Sequence, residues 1–308
     1  MTENPFAIEL TDVTKRYADT LATDSISFRV KETEFFGLLG PNGAGKTTTI
    51  NMMASILKPT EGELRILGID VKKQPVEVKK IIGLVFQDSA LDRQLTVREN
   101  LIFAGMMHGL KKDLIEKRLI ELLTLFGLED KKDKPVGSLS GGQRRGVDIA
   151  RGVIHQPRIL FLDEPTIGLD VSARVRIWRF IHKLRKSDGI TIVLTTHYLE
   201  EAESCDNVCF IDKGKIVLAG KPDILIKEFD SEILEIESSD IDGLYPSLRA
   251  FLGEGRVDFK TAYFKVAKNK ETFVSQKLDQ IKNEFSSSVT RVSIRPINLN
   301  DVFLWVNT

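Results

Sequence analysis

Cysteine is nearly absent from this chain of 308 residues, which also lacks long apolar runs and an excess of charge of either sign. Two cysteines, Cys205 and Cys209, are too few for a disulfide scaffold, and no further cysteine or histidine pair completes a zinc site. We therefore expect two buried thiols.

The 44 basic residues balance the 44 acidic ones, so nothing favours a nucleic-acid partner and we expect none. No apolar run reaches the ~18–20 residues that span a bilayer, and the polar N-terminus does not resemble a signal peptide. These absences predict a cytoplasmic chain that works at a membrane only from one face, through another protein.

Up to about residue 220, short apolar runs alternate with amphipathic stretches. This alternation predicts an α/β domain over residues 1–220 with a largely parallel sheet covered on both faces. Helices are expected after Gly45, Thr96, Leu114, Gly142, Ser172 and His197, with Ser172 as the N-cap of its helix. The strands are expected at 7–13, 26–30, 35–39, 64–67, 81–86, 159–162, 191–194, 208–211 and 216–218.

The pattern changes after Gly220, where strands alternate strictly between apolar and polar residues. Leu234 and Ile236 form one apolar face, and Val257 and Phe259 form another. Two helical stripes intervene, at 241–251 and 274–285, and a short helix is expected at 299–306. The order βαββαβ predicts a small ferredoxin-like α+β domain over residues 221–308.

One glycine-rich loop carries the clearest chemical signal. The strand 35–39 runs directly into the sequence Gly40-Pro41-Asn42-Gly43-Ala44-Gly45-Lys46-Thr47-Thr48, which is G-x4-G-K-T, a P-loop. The glycines allow consecutive backbone N–H groups to surround a phosphate, and the helix that follows directs its N-terminal donors at the same anion. Lys46 can bridge the β- and γ-phosphates, and Thr47 can be a ligand of Mg²⁺. The loop thus predicts that the chain binds ATP or GTP.

A second motif selects among the P-loop proteins. Leu139-Ser140-Gly141-Gly142-Gln143 resembles the LSGGQ signature of the ATP-binding-cassette (ABC) ATPases. The other motifs of that family are matched in order over residues 6–220. They are Gln87 (Q-loop), 159–163 with Asp163 (Walker B), Glu164, Gly168-Leu169-Asp170 (D-loop) and His197 (H-loop).

The resemblance implies a role for each matched residue. Thr47, Gln87 and Asp163 would hold Mg²⁺, Glu164 would be the general base for the attacking water, and His197 would contact the γ-phosphate. Tyr17 would stack on adenine. The signature residues Ser140, Gly141, Gly142 and Gln143 would contact the ATP held by Lys46 of the other subunit, in a head-to-tail homodimer. An acidic pair after a buried strand agrees with such roles, because burying carboxylates is costly unless a cation or a reaction uses them.

The segments 88–101 and 300–304 resemble the daunorubicin-resistance and nodulation-factor export ATPases, which are of the ABC-2 exporter type. The resemblance implies an ATPase subunit attached to the inner face of the membrane through a separate permease, exporting a drug, lipid or glycolipid. A non-transport ABC ATPase of the translation or DNA-repair type, and an importer subunit, are the alternatives. Leu91, Leu95, Phe103, Met106 and Met107 form either an apolar cleft for a permease helix or simply the helical core. The segment 221–308 is either a dimer tether or a surface for a regulator or the permease.

Overall fold

The computed structural model describes residues 6–267 and 289–306 of the chain. The contacts divide it into two compact units, Met1–Lys221 and Pro222–Thr308. Among the described residues, no helix combines the length and the apolar character needed to cross a membrane.

The centre of the first unit is a six-stranded sheet in the order β10-β9-β3-β8-β7-β6. Its strands are β3 (Phe35–Leu39), β6 (Ile82–Val85), β7 (Ile159–Asp163), β8 (Thr191–Thr196), β9 (Asn207–Asp212) and β10 (Lys215–Gly220). All neighbouring pairs are parallel except β9 with β10. Every residue of β3, β7 and β8 is buried, as expected when helices cover both faces. The predicted α/β class is confirmed.

A second sheet in this unit is antiparallel, in the order β2-β1-β4-β5. It is built from β1 (Phe6–Tyr17), β2 (Thr20–Lys31), β4 (Glu61–Ile66) and β5 (Ile69–Asp70). The runs 7–13, 26–30 and 64–67 were therefore predicted correctly as strands, but they belong to this separate sheet. Strand pairing joins residues far apart in sequence, so apolar periodicity alone does not reveal it.

Seven helices surround these sheets in the described part of the first unit. They are α1 (Lys46–Met53), α2 (Pro75–Ile81), α3 (Val97–Met107), α4 (Lys112–Phe126), α5 (Gly141–Val153), α6 (Val171–Asp188) and α7 (Leu199–Ala202). The sequence predicts Ser172 as the N-cap of α6, but in the structure the N-cap is Asp170. The Asp170 carboxylate accepts the Ala173 N–H at 2.8 Å, whereas the Ser172 hydroxyl donates to the same carboxylate at 2.7 Å.

The second unit contains a four-stranded antiparallel sheet in the order β12-β13-β11-β14, which is that of a ferredoxin-like fold. Its elements are α8 (Pro222–Glu228), β11 (Ser231–Ser238), α9 (Ile241–Leu252), β12 (Gly255–Asp258), β13 (Thr261–Ala267), β14 (Val289–Pro296) and α10 (Leu299–Val306). Leu234, Ile236, Leu248 and Phe264 lie in its core. The predicted helix 274–285 lies outside the described residues.

Phe259 does not share the apolar face of β12, contrary to the prediction. It lies in the two-residue turn before β13, with φ = +50° and 92% of its surface exposed. Asp258 pairs with Thr261, so the hairpin closes one residue earlier than the alternation indicates.

The two cysteines are unpaired and buried, as predicted. Cys209 lies in β9 opposite Leu38 of β3, and burial raises the pKa of its thiol to about 12. Burial also raises the pKa of Cys205, and the nearby Asp206 and Glu201 carboxylates act in the same direction.

Candidate active site

The P-loop joins the end of β3 to the start of α1, and two of its glycines cannot be replaced without strain. Gly40 has φ = +146°, and a Cβ there would lie 2.0 Å from the Ile211 carbonyl oxygen. Gly45 has φ = +107°, and its Cβ would lie 2.4 Å from the Ala22 carbonyl oxygen. Gly45 is also the N-cap of α1 and provides no side-chain cap, so the first N–H groups of the helix remain available for an anion.

Lys46 lies buried beside this loop. Its Nζ donates to the carbonyl oxygens of Gly40 at 2.8 Å and Pro41 at 3.0 Å, and it lies 3.8 Å from Glu164 Oε1. Burial lowers the pKa of Lys46, while the charges of Glu164 and Asp163 oppose that shift. The ammonium group therefore sits between the loop and two carboxylates, close to where a bound phosphate would lie.

Asp163 ends β7 next to the start of α1. Thr47 Oγ1 donates to Asp163 Oδ1 at 3.3 Å, and Thr195 Oγ1 donates to the same oxygen. The parallel register sets Asp163 directly beside Thr195 of β8. A hydroxyl and a carboxylate oxygen thus lie together, which is the ligand chemistry that Mg²⁺ prefers.

Glu164 follows in a left-handed backbone conformation, with φ = +45°, which is uncommon for a residue with a side chain. Its N–H donates to both oxygens of Thr195, the carbonyl at 3.2 Å and the hydroxyl at 3.0 Å. His197 Nδ1 lies 3.3 Å from Glu164 Oε1. The structure therefore brings Lys46, Glu164 and His197 together around one carboxylate oxygen.

The structure locates the other residues predicted to contact nucleotide, but it does not test their roles. Gln87 is exposed, and its carbonyl oxygen accepts a hydrogen bond from Arg145 at 3.4 Å. Tyr17 is exposed near the end of β1, with Lys15 Nζ 5.1 Å from its ring centroid. Within the loop, Asn42 and Gly43 are exposed, Thr48 is half-buried and Ala44 is buried. Adenine stacking by Tyr17 and metal binding by Gln87 stay predictions.

The signature opens α5, and Ser140 is its N-cap in a capping box. The Gln143 N–H donates to Ser140 Oγ at 3.3 Å, and the Ser140 N–H donates to Gln143 Oε1 at 3.0 Å. A Cβ on Gly142 would lie 2.6 Å from the Ala173 Cβ, so this helix start packs closely against α6. Ser140 and Gly141 are exposed. Within the described residues of one chain, no hydrogen bond joins Ser140 or Gln143 to the P-loop.

A groove of about 630 Å³ lies beside the Q-loop and α3. Three of the five predicted cleft residues, Leu95, Phe103 and Met107, line it. Met106 is exposed but is not among its lining residues, and Leu91 is buried. The core interpretation therefore holds for Leu91, whereas the others present apolar side chains at the surface.

Two residues that contact this site were not singled out from the sequence. Thr195 is the residue of β8 beside Asp163, and only the strand register reveals it. Arg145 lies on the buried side of α5 with Ile149 and Gly152. A charged residue on the apolar face of a predicted helix is a usable signal, because a buried charge requires partners.

A phosphate-binding loop, an acidic pair at the end of β7 and a neighbouring histidine define the class: a P-loop nucleoside triphosphatase. A model of the ABC transporter family matches residues 23–167. The Nod factor export ATP-binding protein I of Ralstonia nicotianae is 39% identical over 94% of this chain and 90% of the relative. The protein of the same name from Sinorhizobium fredii is 38% identical over 97% of this chain and 85% of the relative. The chain belongs to the ABC transporter family as an ATP-binding, ATP-hydrolysing subunit, which confirms the family predicted from its motifs.

Solved structures agree with this assignment. The ATP-binding subunit of an ABC transporter is 29% identical over 72% of this chain and 93% of that chain, with a TM-score of 0.67. A bacterial ABC transporter cassette solved as a dimer is 32% identical over 70% of this chain and 98% of that one, with a TM-score of 0.65. The cbiO1 protein of Clostridium perfringens, described as part of the ABC transporter complex cbiONQ, is 30% identical over 80% of this chain and 98% of that chain, with a TM-score of 0.67.

Proposed function

We propose that this chain is the ATPase subunit of an ABC exporter, which drives a separate permease that exports a drug, lipid or glycolipid-like substrate. The observation that carries the proposal is the extent of the similarity to export proteins. It covers 94–97% of the chain, and so includes most of the second unit as well as the cassette. The solved cassettes cover 70–80%.

In this proposal the P-loop amides and Lys46 bind the ATP phosphates, and Thr47 and Asp163 hold Mg²⁺ with Gln87. The close approach of the Thr47 hydroxyl to the Asp163 carboxylate fits a small oxygen-preferring cation. When bound, Mg²⁺ neutralises part of the phosphate charge. Thr195 orients the Asp163 carboxylate by donating to Oδ1, and this carboxylate would be a ligand of the metal.

Glu164 acts as the general base that takes a proton from the attacking water at Oε1 or Oε2. Its backbone N–H is fixed by Thr195, and the His197 ring lies against Oε1. His197 is then placed to contact the γ-phosphate from the same side as the base. A positioned base contributes on the order of 10²- to 10⁴-fold to a rate, so most of the turnover should depend on Glu164.

The signature residues complete the site in trans. Ser140 and Gly141 are exposed at the start of α5, where Gly142 and Gln143 follow, and among the described residues no hydrogen bond joins Ser140 or Gln143 to the P-loop of the same chain. We therefore assign them to the nucleotide held by Lys46 of the partner subunit, in a head-to-tail homodimer. Such a dimer forms on ATP binding and separates after hydrolysis.

The permease would dock in the groove beside α3, which attaches the subunit to the inner face of the membrane. Phe103 and Met107 present large apolar side chains on one wall of the groove. Exposed apolar surface of this kind is typical of a protein interface. The groove also includes residues next to Gln87, so docking and the nucleotide site share one segment of chain.

Glu164→Gln tests the catalytic assignment. The amide keeps the shape of the carboxylate but removes the base and a negative charge near the γ-phosphate. We expect ATP to drive this variant into a stable dimer, detected by size-exclusion chromatography, with hydrolysis reduced about 10²-fold or more. Lys46→Ala should instead lose nucleotide affinity and stay monomeric with ATP. A Glu164→Gln monomer with wild-type hydrolysis would reject the assignment.

Export itself is tested with a membrane protein that copurifies with this chain. Co-expression and reconstitution in proteoliposomes should give ATP-dependent movement of labelled lipid or drug away from the face that carries the ATPase. Movement toward that face would establish an importer. The absence of a membrane protein that copurifies with the chain would favour a non-transport ATPase.

A further inference from the structure

Arg145, in the second turn of α5, has 7% of its surface exposed, and all the hydrogen bonds described for its guanidinium end on backbone carbonyls. Nε donates to Pro165 at 2.8 Å, and Nη2 donates to Asp163 at 2.9 Å and Glu164 at 3.1 Å. Nη1 donates to Phe86 and, at 3.4 Å, to Gln87. One side chain thus joins the end of β7 to the start of the Q-loop.

The hydrogen bonds of Arg145 indicate a role beyond filling the space between α5 and β7. Burial of a guanidinium is costly unless its donors are matched, and an apolar side chain would fill the same volume without that cost. Burial lowers the pKa of Arg145, while the charges of Asp148, three residues further along α5, and of Asp163 oppose that shift. Asp148 also accepts the Ala90 N–H at 3.3 Å, so α5 holds the Q-loop segment at a second point.

The carbonyls that Arg145 binds surround the most unusual backbone position of the site. Glu164 has φ = +45°, and a backbone in this region persists only when its surroundings determine it. Thr195 fixes the N–H of Glu164, and Arg145 fixes its carbonyl and those of the residues on either side. Together they set the direction in which the carboxylate leaves the main chain.

We propose that Arg145 is a positioning residue that fixes the Glu164 carboxylate for attack of water and links it to the signature helix. The proposal rests on the assignment of Glu164 as the base. Because α5 begins at the signature, a movement of this helix toward the nucleotide of the partner subunit reaches Glu164 through the guanidinium. The hydrogen bonds described for the Arg145 guanidinium end on main-chain carbonyls, so its effect should appear in turnover and not in ATP affinity.

Arg145→Lys is the informative variant, because it keeps the charge but lacks the planar fork that reaches two loops. Displacing a catalytic group by about 1 Å costs on the order of 10²-fold, so we expect kcat to fall by about 10- to 100-fold. The Kd for Mg-AMP-PNP, measured by calorimetry on the full chain, should change by less than about threefold.

Arg118→Lys is the matched control. Arg118 is 8% exposed and also donates to backbone carbonyls, of Ile154 at 2.6 Å and Val153 at 3.1 Å, at the opposite end of α5. Both variants should lower the thermal midpoint, but only Arg145→Lys should lower kcat more than twofold. If both variants lose kcat in proportion to the decrease in their thermal midpoints, Arg145 only contributes to packing and the proposal is wrong.

The double variant Arg145→Lys/Glu164→Gln tests whether Arg145 acts through Glu164. If it does, the residual hydrolysis of Glu164→Gln should change by less than about twofold when Arg145→Lys is added. A further tenfold loss would show an independent effect and reject the proposal. If Arg145→Lys keeps the wild-type kcat while Glu164→Gln is inactive, the proposal for Arg145 is wrong but the assignment of Glu164 as the base stands. If Glu164→Gln keeps wild-type turnover, the assignment of the base is itself wrong.

Discussion

Mild acid should destabilise the folded chain through His155, which lies two residues after the end of α5. Its Nε2–H donates to the Ile82 carbonyl oxygen at 2.9 Å, and its ring stacks on His108 with 3.6 Å between centroids. Burial lowers the pKa of His155 to about 4, and the charge of a protonated His108 acts in the same direction. The folded chain therefore resists protonation at a position where the unfolded chain accepts it.

The sign and size of the effect follow from the two pKa values. Between pH 6.5 and 4 the unfolded state binds the proton and the folded state does not, so stability falls as the pH is lowered through this range. The full difference of about 2.5 between the two pKa values lowers the free energy of unfolding by roughly 3.4 kcal/mol below pH 4 and by about 2 kcal/mol at pH 5. The ring retains some contact with solvent, so we expect about 1–2 kcal/mol between pH 7 and pH 5.

His155→Gln isolates this contribution, because the glutamine amide can donate to Ile82 without gaining a charge. Urea unfolding at pH 7, 6 and 5 should show that the variant loses about 1–2 kcal/mol less stability than the wild type. NMR titration of the imidazole in the folded protein gives the pKa directly. Parallel losses in the two proteins, or a His155 that titrates near 6.5, would refute the reasoning.

Two further predictions concern the partner surfaces. Phe103→Asp, at a site 64% exposed, should abolish copurification with the permease while leaving the thermal midpoint within about 2 °C of the wild type. Ile120→Asp, 55% exposed on α4 and not among the groove residues, is the control that should still copurify. Removal of residues 222–308 should raise the protein concentration that gives half-maximal ATPase activity, with activity at saturation near that of the wild type, if this unit tethers the dimer. An unchanged concentration dependence would favour a regulatory role.

The sequence predicts which residues gather at the candidate site better than it predicts the sheet architecture. The P-loop motif selects Lys46, the resemblance to the ABC ATPases selects Glu164 and His197, and the structure brings the three side chains together. The antiparallel sheet of β1, β2, β4 and β5 depends on pairings such as Ile8 with Ile66, which no local pattern encodes. The prediction therefore succeeds for residues that belong to a motif and fails for the pairing of strands far apart in sequence.

Errors at helix and strand ends have a similar origin. Ser172 and Asp170 are both good N-cap residues, and only the hydrogen bond to Ala173 distinguishes them. The role of Arg145 depends on carbonyls 18 to 59 residues away in sequence. Contacts of that kind are decided by packing, and propensity carries little information about them.

The buried cysteines allow local unfolding of the central sheet to be measured by the rate of thiol labelling. Thiol reagents attack the thiolate, and with a pKa of about 12 almost no Cys209 is ionised at neutral pH while the sheet is closed. Labelling then requires that β9 separate from β3, the strand that leads into the P-loop. The rate of labelling therefore measures local unfolding at the nucleotide site, and ATP should slow it by mass action, without any engineered probe.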